Sequence, residues 1–220
     1  MSKISKRQIP CPSCGHTGEF MLWESINVDL NPEMRDKVVC GEVFRWTCPK
    51  CGETFTVPYA TLYHDMKRNF MIWYMPTRPE DGKGLKLRNP VGRPYGVGDT
   101  YRYRCTYDIH DFQEKIIQME SGLNDYAIEI LKNVALFKHI PKGLPADTEF
   151  RFGGVLPLAG NNRSLFFHCV SPSLDASKIV NVPYSSYEDI AKDSMLDEFF
   201  KQDADFLEVS QTFLNKILGP

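Results

Sequence analysis

Residues 11–17 read Cys11-Pro12-Ser13-Cys14-Gly15-His16-Thr17, and the same grammar returns as Cys48-Pro49-Lys50-Cys51-Gly52-Glu53-Thr54. Proline after the first cysteine presets φ for a tight turn. Two residues between the cysteines let both sulfurs face one centre. The glycine that follows accepts positive φ and turns backbone N–H groups towards the thiolates. Each copy is half of a tetrahedral site, and two copies complete a four-cysteine shell of the kind structural zinc takes, with Zn–S distances of about 2.3 Å. The sequence therefore predicts one Zn²⁺ per chain, held by Cys11, Cys14, Cys48 and Cys51. Four thiolates carry more charge than the ion cancels, which Lys50 and Arg7 are placed to offset in part.

Two other chemistries share this spelling. A single C-P-x-C can be a thioredoxin-type redox site, with one thiolate activated at a helix N-terminus. Here glycine and then β-like sequence follow each pair, and two copies fit one shared ion better than two redox centres. Iron in a rubredoxin-like site is the other metal that tetrahedral sulfur admits.

The chain has 220 residues, 42% hydrophobic and 25% charged, with 26 Lys and Arg against 28 Asp and Glu. That composition is that of a folded globular protein and excludes one defined by global basicity. No apolar run is long enough for a membrane span, and no apolar stretch follows Lys3, Lys6 and Arg7 as in a secretory signal, so the expected location is cytoplasmic. Seven cysteines, an odd number, fit no disulfide framework there. Cys40, Cys105 and Cys169 stand singly in apolar or alternating sequence and read as small buried hydrophobes.

Cys14 and Cys48 enclose 33 residues, more than the roughly 15–20 of an ordinary zinc ribbon. The surplus reads as an inserted helix: Asn31 as N-cap, Pro32 at the first helical position, Met34 and Val38 on one apolar face, Gly41 at the exit. Strands are expected over Glu19–Asp29, Glu42–Thr47 and Thr54–Val57. A hairpin follows over Ala60–His64 and Phe70–Met75, turning through Asp65–Asn69.

The segments CPSCG and CPKCG, the stretch LYHDM with FMIWYMP, and FQEKI with GLNDYAIEILK together resemble the bacterial CpXC domain family over roughly residues 8–135. The duplicated CPxCG is the specific part of that likeness. The resemblance implies a metal-binding domain whose cellular role is open, and it carries over to Cys11, Cys14, Cys48 and Cys51.

Residues 78–99, rich in glycine and proline, read as a basic loop or linker. From Gly82 to Arg104 the chain carries Lys83, Lys86, Arg88, Arg93, Arg102 and Arg104 against Asp99, with Tyr95, Tyr101 and Tyr103 interleaved. Cations for phosphates and tyrosines for stacking make a nucleic-acid contact one reading; a solvated loop leading into a strand is the other. Beyond it, Asp108 caps a helix marked by Ile109, Phe112 and Ile116. Leu123, Tyr126, Ala127, Ile130, Leu131 and Val134 mark the core face of a second. Strands are expected over Thr148–Pro157, Ser164–Val170 and Lys178–Val182. Ser185 and Glu188 form a capping box for a helix reaching Phe200, and a terminal helix carries Phe213, Leu214, Ile217 and Leu218. Residues 111–220 hold 10 Lys and Arg against 16 Asp and Glu, whereas residues 1–110 hold 16 against 12.

The expected fold class is α+β: a zinc ribbon-like β domain with an inserted helix over residues 1–77, the loop 78–99, and an α+β domain over 100–220. His16, His64, His110, His139 and His168 are scattered, His64-Asp65 being the most suggestive pair. Catalytic signatures such as HExxH, G-x-S-x-G and the Walker loop do not occur, and four cysteine ligands leave no open zinc position for water, which points away from an enzyme. The reading is a zinc-binding module or scaffold with a protein partner. The alternatives are a thiol-redox or zinc-responsive enzyme using the CPxC motifs, and a nucleic-acid binder acting through residues 82–104.

Overall fold

A computed structural model of the chain describes residues 1–78, 101–134, 143–145, 147–175, 178–193, 206–211 and 214. The fold class is α+β, and the four cysteines lie in an N-terminal region built mainly of strands. The chain divides into two compact units, Met1–Gln113 with Asp205–Leu207, and Glu114–Ala204 with Glu208–Pro220.

In the first unit β1 (Lys3–Pro10) pairs antiparallel with β2 (Thr17–Asn27), ending on Pro10 opposite Thr17. The first cysteine loop is thus the tip of a long hairpin. After β2 the chain turns, Met34 N–H bonding the Asn31 carbonyl, before α1 (Met34–Val39) begins. The helix starts later than Pro32 because that turn precedes it, and it buries Met34 and Val38 as the sequence predicts. Gly41, at φ 76°, ends it. A strand over all of Glu42–Thr47 is not found. Glu42–Phe44 forms a 3₁₀ turn and only Arg45–Thr47 (β3) is extended. Val43 and Phe44 are consecutive and both buried, which a helical turn permits and a pleat, sending neighbours to opposite faces, does not.

β3 pairs antiparallel with β4 (Thr54–Thr56), Thr47 opposite Thr54, so the second cysteine loop is a hairpin tip too. β5 (Thr61–Asp65) runs parallel to the end of β2 and antiparallel to β6 (Phe70–Tyr74). β7 (Arg102–Thr106), which the sequence reading sets beyond the basic loop, pairs parallel with β6 in full register, Phe70 opposite Arg102 and Tyr74 opposite Thr106. Phe44 centres the core, with ring centroids 5.1 Å from Tyr59, 5.4 Å from Tyr74 and 6.2 Å from Phe112.

α2 (Ile109–Glu120) carries the boundary between the units. In the second unit α3 (Asp125–Val134) precedes β8 (Glu149–Pro157), β9 (Arg163–Val170) and β10 (Lys178–Pro183), an antiparallel sheet in the order β10-β9-β8. Phe152, Leu165, Phe167, Val180 and Val182 are buried, the inward half of the period-two pattern. α4 (Tyr184–Ala191) starts from Pro183 with no side-chain cap bond, so the expected Ser185–Glu188 capping box does not form. Pro183 already fixes the entry φ. The stretch towards Phe200 and the terminal residues Phe213, Ile217 and Leu218 lie outside the described residues. β11 (Leu207–Glu208) completes the first sheet, ordered β1-β2-β5-β6-β7-β11.

The second unit also buries charge. Lys115 Nζ donates to Gln118 Oε1 at 2.6 Å and Asp125 Oδ2 at 3.1 Å. Lys132 Nζ lies 2.8 Å from Glu114 Oε1 and 3.1 Å from Glu129 Oε2. The Gln118 amide donates to both Glu114 and Glu129, the Gln211 amide to Glu129, and the Phe152 N–H to Glu114. Among the described residues no helix is long and apolar enough to cross a membrane.

Candidate metal centre

The two cysteine loops are built alike, bond for bond. Cys11 N–H donates to the His16 carbonyl at 2.8 Å and Gly15 N–H to the Cys11 carbonyl at 2.9 Å. Cys48 N–H to Glu53 and Gly52 N–H to Cys48 repeat those bonds at 2.8 and 2.9 Å. The first bond closes each hairpin and the second curls the loop around its sulfurs. Gly15 and Gly52 stand at φ 69° and 77° with open space where a Cβ would be, so backbone angle and not crowding requires glycine there.

Far apart in sequence, the loops are docked by Trp46. Its indole Nε1–H donates to the Glu19 carbonyl of β2 at 3.0 Å, and its ring lies over Gly18, where a Cβ would stand 2.7 Å from Trp46 Cζ2. Trp46 sits two residues before Cys48 and Gly18 four after Cys14, so this contact ties one loop to the other. The sequence reading missed the pair, although a glycine in a strand is a known sign of close approach by other atoms.

The four sulfurs of Cys11, Cys14, Cys48 and Cys51 all lie within 4.8 Å of one another. Cys11 Sγ is 3.6 Å from Cys51 Sγ, and Cys14 Sγ is 3.7 Å from Cys48 Sγ. Corners about 2.3 Å from the centre of a tetrahedron are about 3.8 Å apart, so the cluster has the dimensions of a site that can hold a metal ion. None of the seven cysteines is in a disulfide.

A model of the CpXC protein family matches residues 9–132, which takes in both loops, β2 to β7, α2 and most of α3. The chain belongs to the CpXC family. No curated protein and no solved structure matches it.

In this CpXC chain Cys11 and Cys48 are buried, Cys14 is half-buried and Cys51 exposed. Burial pushes the Cys48 thiol up, but the backbone N–H groups of Cys51 and Lys50, with the sulfurs of Cys51 and Cys11, outweigh it and bring the thiol down to about 6. At Cys51 the Glu53 N–H favours the thiolate, while desolvation and the sulfurs of Cys48, Cys11 and Cys14 push the thiol up to about 12. The cluster accepts one negative charge readily and opposes the next. A cation at its centre removes that conflict.

Cys40 and Arg104 also depart from the sequence reading in this CpXC chain. Cys40 is exposed, not buried, because it caps α1 at the surface; Cys105 and Cys169 are buried as expected. Arg104 is fully buried and donates to the Tyr103 carbonyl at 2.9 Å, so it offers nothing to an external phosphate. Lys83, Lys86, Arg88, Arg93, Tyr95, Asp99 and His139 lie outside the described residues.

The His64–Asp65 pair is split between different partners. His64 Nε2 meets the Tyr101 hydroxyl at 3.2 Å, while Asp65 binds Arg68 at 2.7 Å, as alternation along β5 requires. Burial and then the N-terminal ammonium lower the His64 pKa against the opposing pull of Asp29 and Asp65. His16 meets the loop through its carbonyl, and His168 packs on Phe166 with centroids 5.6 Å apart.

Proposed function

We propose that this CpXC protein holds one Zn²⁺ through Cys11, Cys14, Cys48 and Cys51 as a closed structural centre, and that the unit it organises serves as a binding or scaffold surface for a protein partner. One observation carries the reading: sulfurs from two matching hairpin tips converge at 3.6 and 3.7 Å, the edge length of a zinc–thiolate tetrahedron. When bound, the ion supplies a cross-link between the hairpins and cancels thiolate charge. The chain's own residues do the rest. Gly15 and Gly52 shape the loops, Trp46 sets their distance, and the N–H groups of Lys50 and Cys51 stabilise the Cys48 thiolate.

Four thiolates fill the coordination shell, so the centre organises structure and leaves no position for an activated water. Strands follow both loops at Thr17 and Thr54, where a CPxC redox site needs a helix N-terminus. A thiolate centre persists where thiols stay reduced, which supports a cytoplasmic location.

The test is to purify the chain without chelator and measure metal by mass spectrometry, and thiol reactivity with and without denaturant. One zinc per chain, with four thiols released only on unfolding, is the expected result. Absence of metal together with fast thiol reactivity in the native protein overturns the reading in favour of redox chemistry.

A further inference from the structure

The four sulfurs are unequal in a patterned way. Cys11 and Cys48 are 2% and 1% exposed, whereas the second cysteine of each loop opens towards solvent, Cys51 being exposed and Cys14 half-buried. The contacts at 3.6 and 3.7 Å, Cys11 to Cys51 and Cys14 to Cys48, run between the loops. Each joins an open sulfur to a buried one on the other hairpin. The backbone of each loop is meanwhile locked by its own pair of hydrogen bonds. An oxidant arriving from water meets Cys51 or Cys14 first, and the sulfur in place to react next belongs to the opposite loop.

We propose that the four-cysteine centre is a hydroperoxide-responsive site whose oxidised form is a pair of cross-loop disulfides, Cys11–Cys51 and Cys14–Cys48, formed as the ion leaves. This rests on the zinc reading above. In each turn an open thiolate attacks hydrogen peroxide; the O–O bond breaks, hydroxide departs and a sulfenic acid remains. The facing buried thiolate then attacks the sulfenic sulfur; the S–S bond forms, the S–O bond breaks and a second hydroxide departs. Two electrons pass from the two sulfurs to the peroxide, and the two hydroxides take their protons from solvent. Two turns consume two hydroperoxides and leave the ion without ligands.

Pairing across the loops has a structural consequence that pairing within them lacks. Disulfides inside each CPxC would leave no covalent or metal link between the hairpin tips once the ion is gone. Cross-loop bonds keep the connection the ion provided, so the oxidised, metal-free protein stays folded. Exposed Cys40 stands outside the cluster and takes no part.

The experiment uses the full chain. Metal content is measured first, hydrogen peroxide is then added in steps with a colorimetric metal indicator, and free thiols are blocked before trypsin digestion and mass spectrometry. Trypsin cuts after Arg7, Arg35, Arg45, Lys50 and Lys67, which leaves Cys11 and Cys14 on one peptide and separates Cys48 from Cys51. The expected product is three peptides joined together, with fragmentation between Pro12 and Ser13 assigning Cys11 to Cys51 and Cys14 to Cys48, full release of the metal, and an unchanged far-ultraviolet spectrum. The inference is overturned by a bond joining the Cys48 and Cys51 peptides directly, by the first peptide alone lighter by two hydrogens, by the opposite cross-pairing, or by metal retained through the titration. A protein with no metal at the outset overturns the zinc reading itself, a result distinct from all of these.

Discussion

Trp46 lies on Gly18 so closely that a Cβ at residue 18 would stand 2.7 Å from the indole ring, while the indole N–H bonds the neighbouring Glu19 carbonyl at 3.0 Å. Gly18→Ala must therefore push the ring or the strand aside, an overpacking change costing about 1–3 kcal/mol. Because the same contact sets one cysteine loop against the other, the variant is expected to bind metal more weakly as well as melt earlier. In a Trp46→Phe background the smaller ring relieves the clash. Thermal melts of the four proteins in that double-mutant cycle check this, and additive effects would count against a shared contact.

Among the seven cysteines, location separates those that matter for metal from those that do not. Cys11→Ser takes one sulfur from the cluster and is expected to reduce bound metal from one ion per chain to a small fraction of that. Cys40→Ser, at an exposed thiol outside the cluster, is expected to leave metal content unchanged and stability within about 0.5 kcal/mol. Mass-spectrometric metal analysis of the two variants beside the parent decides the matter.

What the sequence discloses here follows the range of the physics involved. The cysteine loops were legible because proline, glycine and sulfur spacing act within seven residues. α2 and α3 were legible through their apolar periodicity. β1 was not, since each of its residues is exposed or half-buried and no alternation marks it. The pairing of β7 with β6 joins residues on either side of a long connection, and composition reports only the connection. Periodicity identifies the apolar side of a helix but is silent on whether the polar side is covered too. Glu114, Lys115, Gln118, Asp125 and Glu129 are all buried, where helix grammar alone would leave them in water.

Two of those buried acids are expected to give opposite pH signatures. Burial raises the Glu114 pKa in the folded chain, outweighing Lys132, so its contribution is complete below the unfolded value and is lost as pH rises through the folded one. At Glu129 burial is outweighed by Lys132, Lys115 and the amides of Gln118 and Gln211, and the pKa falls. Its contribution is present above the unfolded value and is lost as pH drops below it. Glu114→Gln should flatten the decline of stability on the neutral side of the normal glutamate pKa, and Glu129→Gln the decline on the acid side. Glu129→Gln should cost more at pH 7, about 3–5 kcal/mol, because it leaves buried lysines short of a charge partner. Urea titrations from pH 3 to 8 test both signs.

One substitution at two tyrosines is expected to give opposite signs. The Tyr59 hydroxyl donates to the Val43 carbonyl at 3.1 Å and accepts the Trp23 N–H at 3.3 Å, and burial pushes its pKa up to about 12. Tyr59→Phe leaves both backbone groups short of a bond and should cost about 1–3 kcal/mol. The Tyr103 hydroxyl is buried with no hydrogen-bond partner among the described residues, inside a cluster with Met71, Cys105 and Phe206. Its removal takes away a desolvated polar atom and strands nothing, so Tyr103→Phe should be neutral or stabilising by up to about 1 kcal/mol. Both rings keep their apolar contacts, which confines the difference to the hydroxyl. Paired denaturation curves measure it, and a loss at Tyr103 as large as that at Tyr59 would mean that the Tyr103 hydroxyl is bonded in solution.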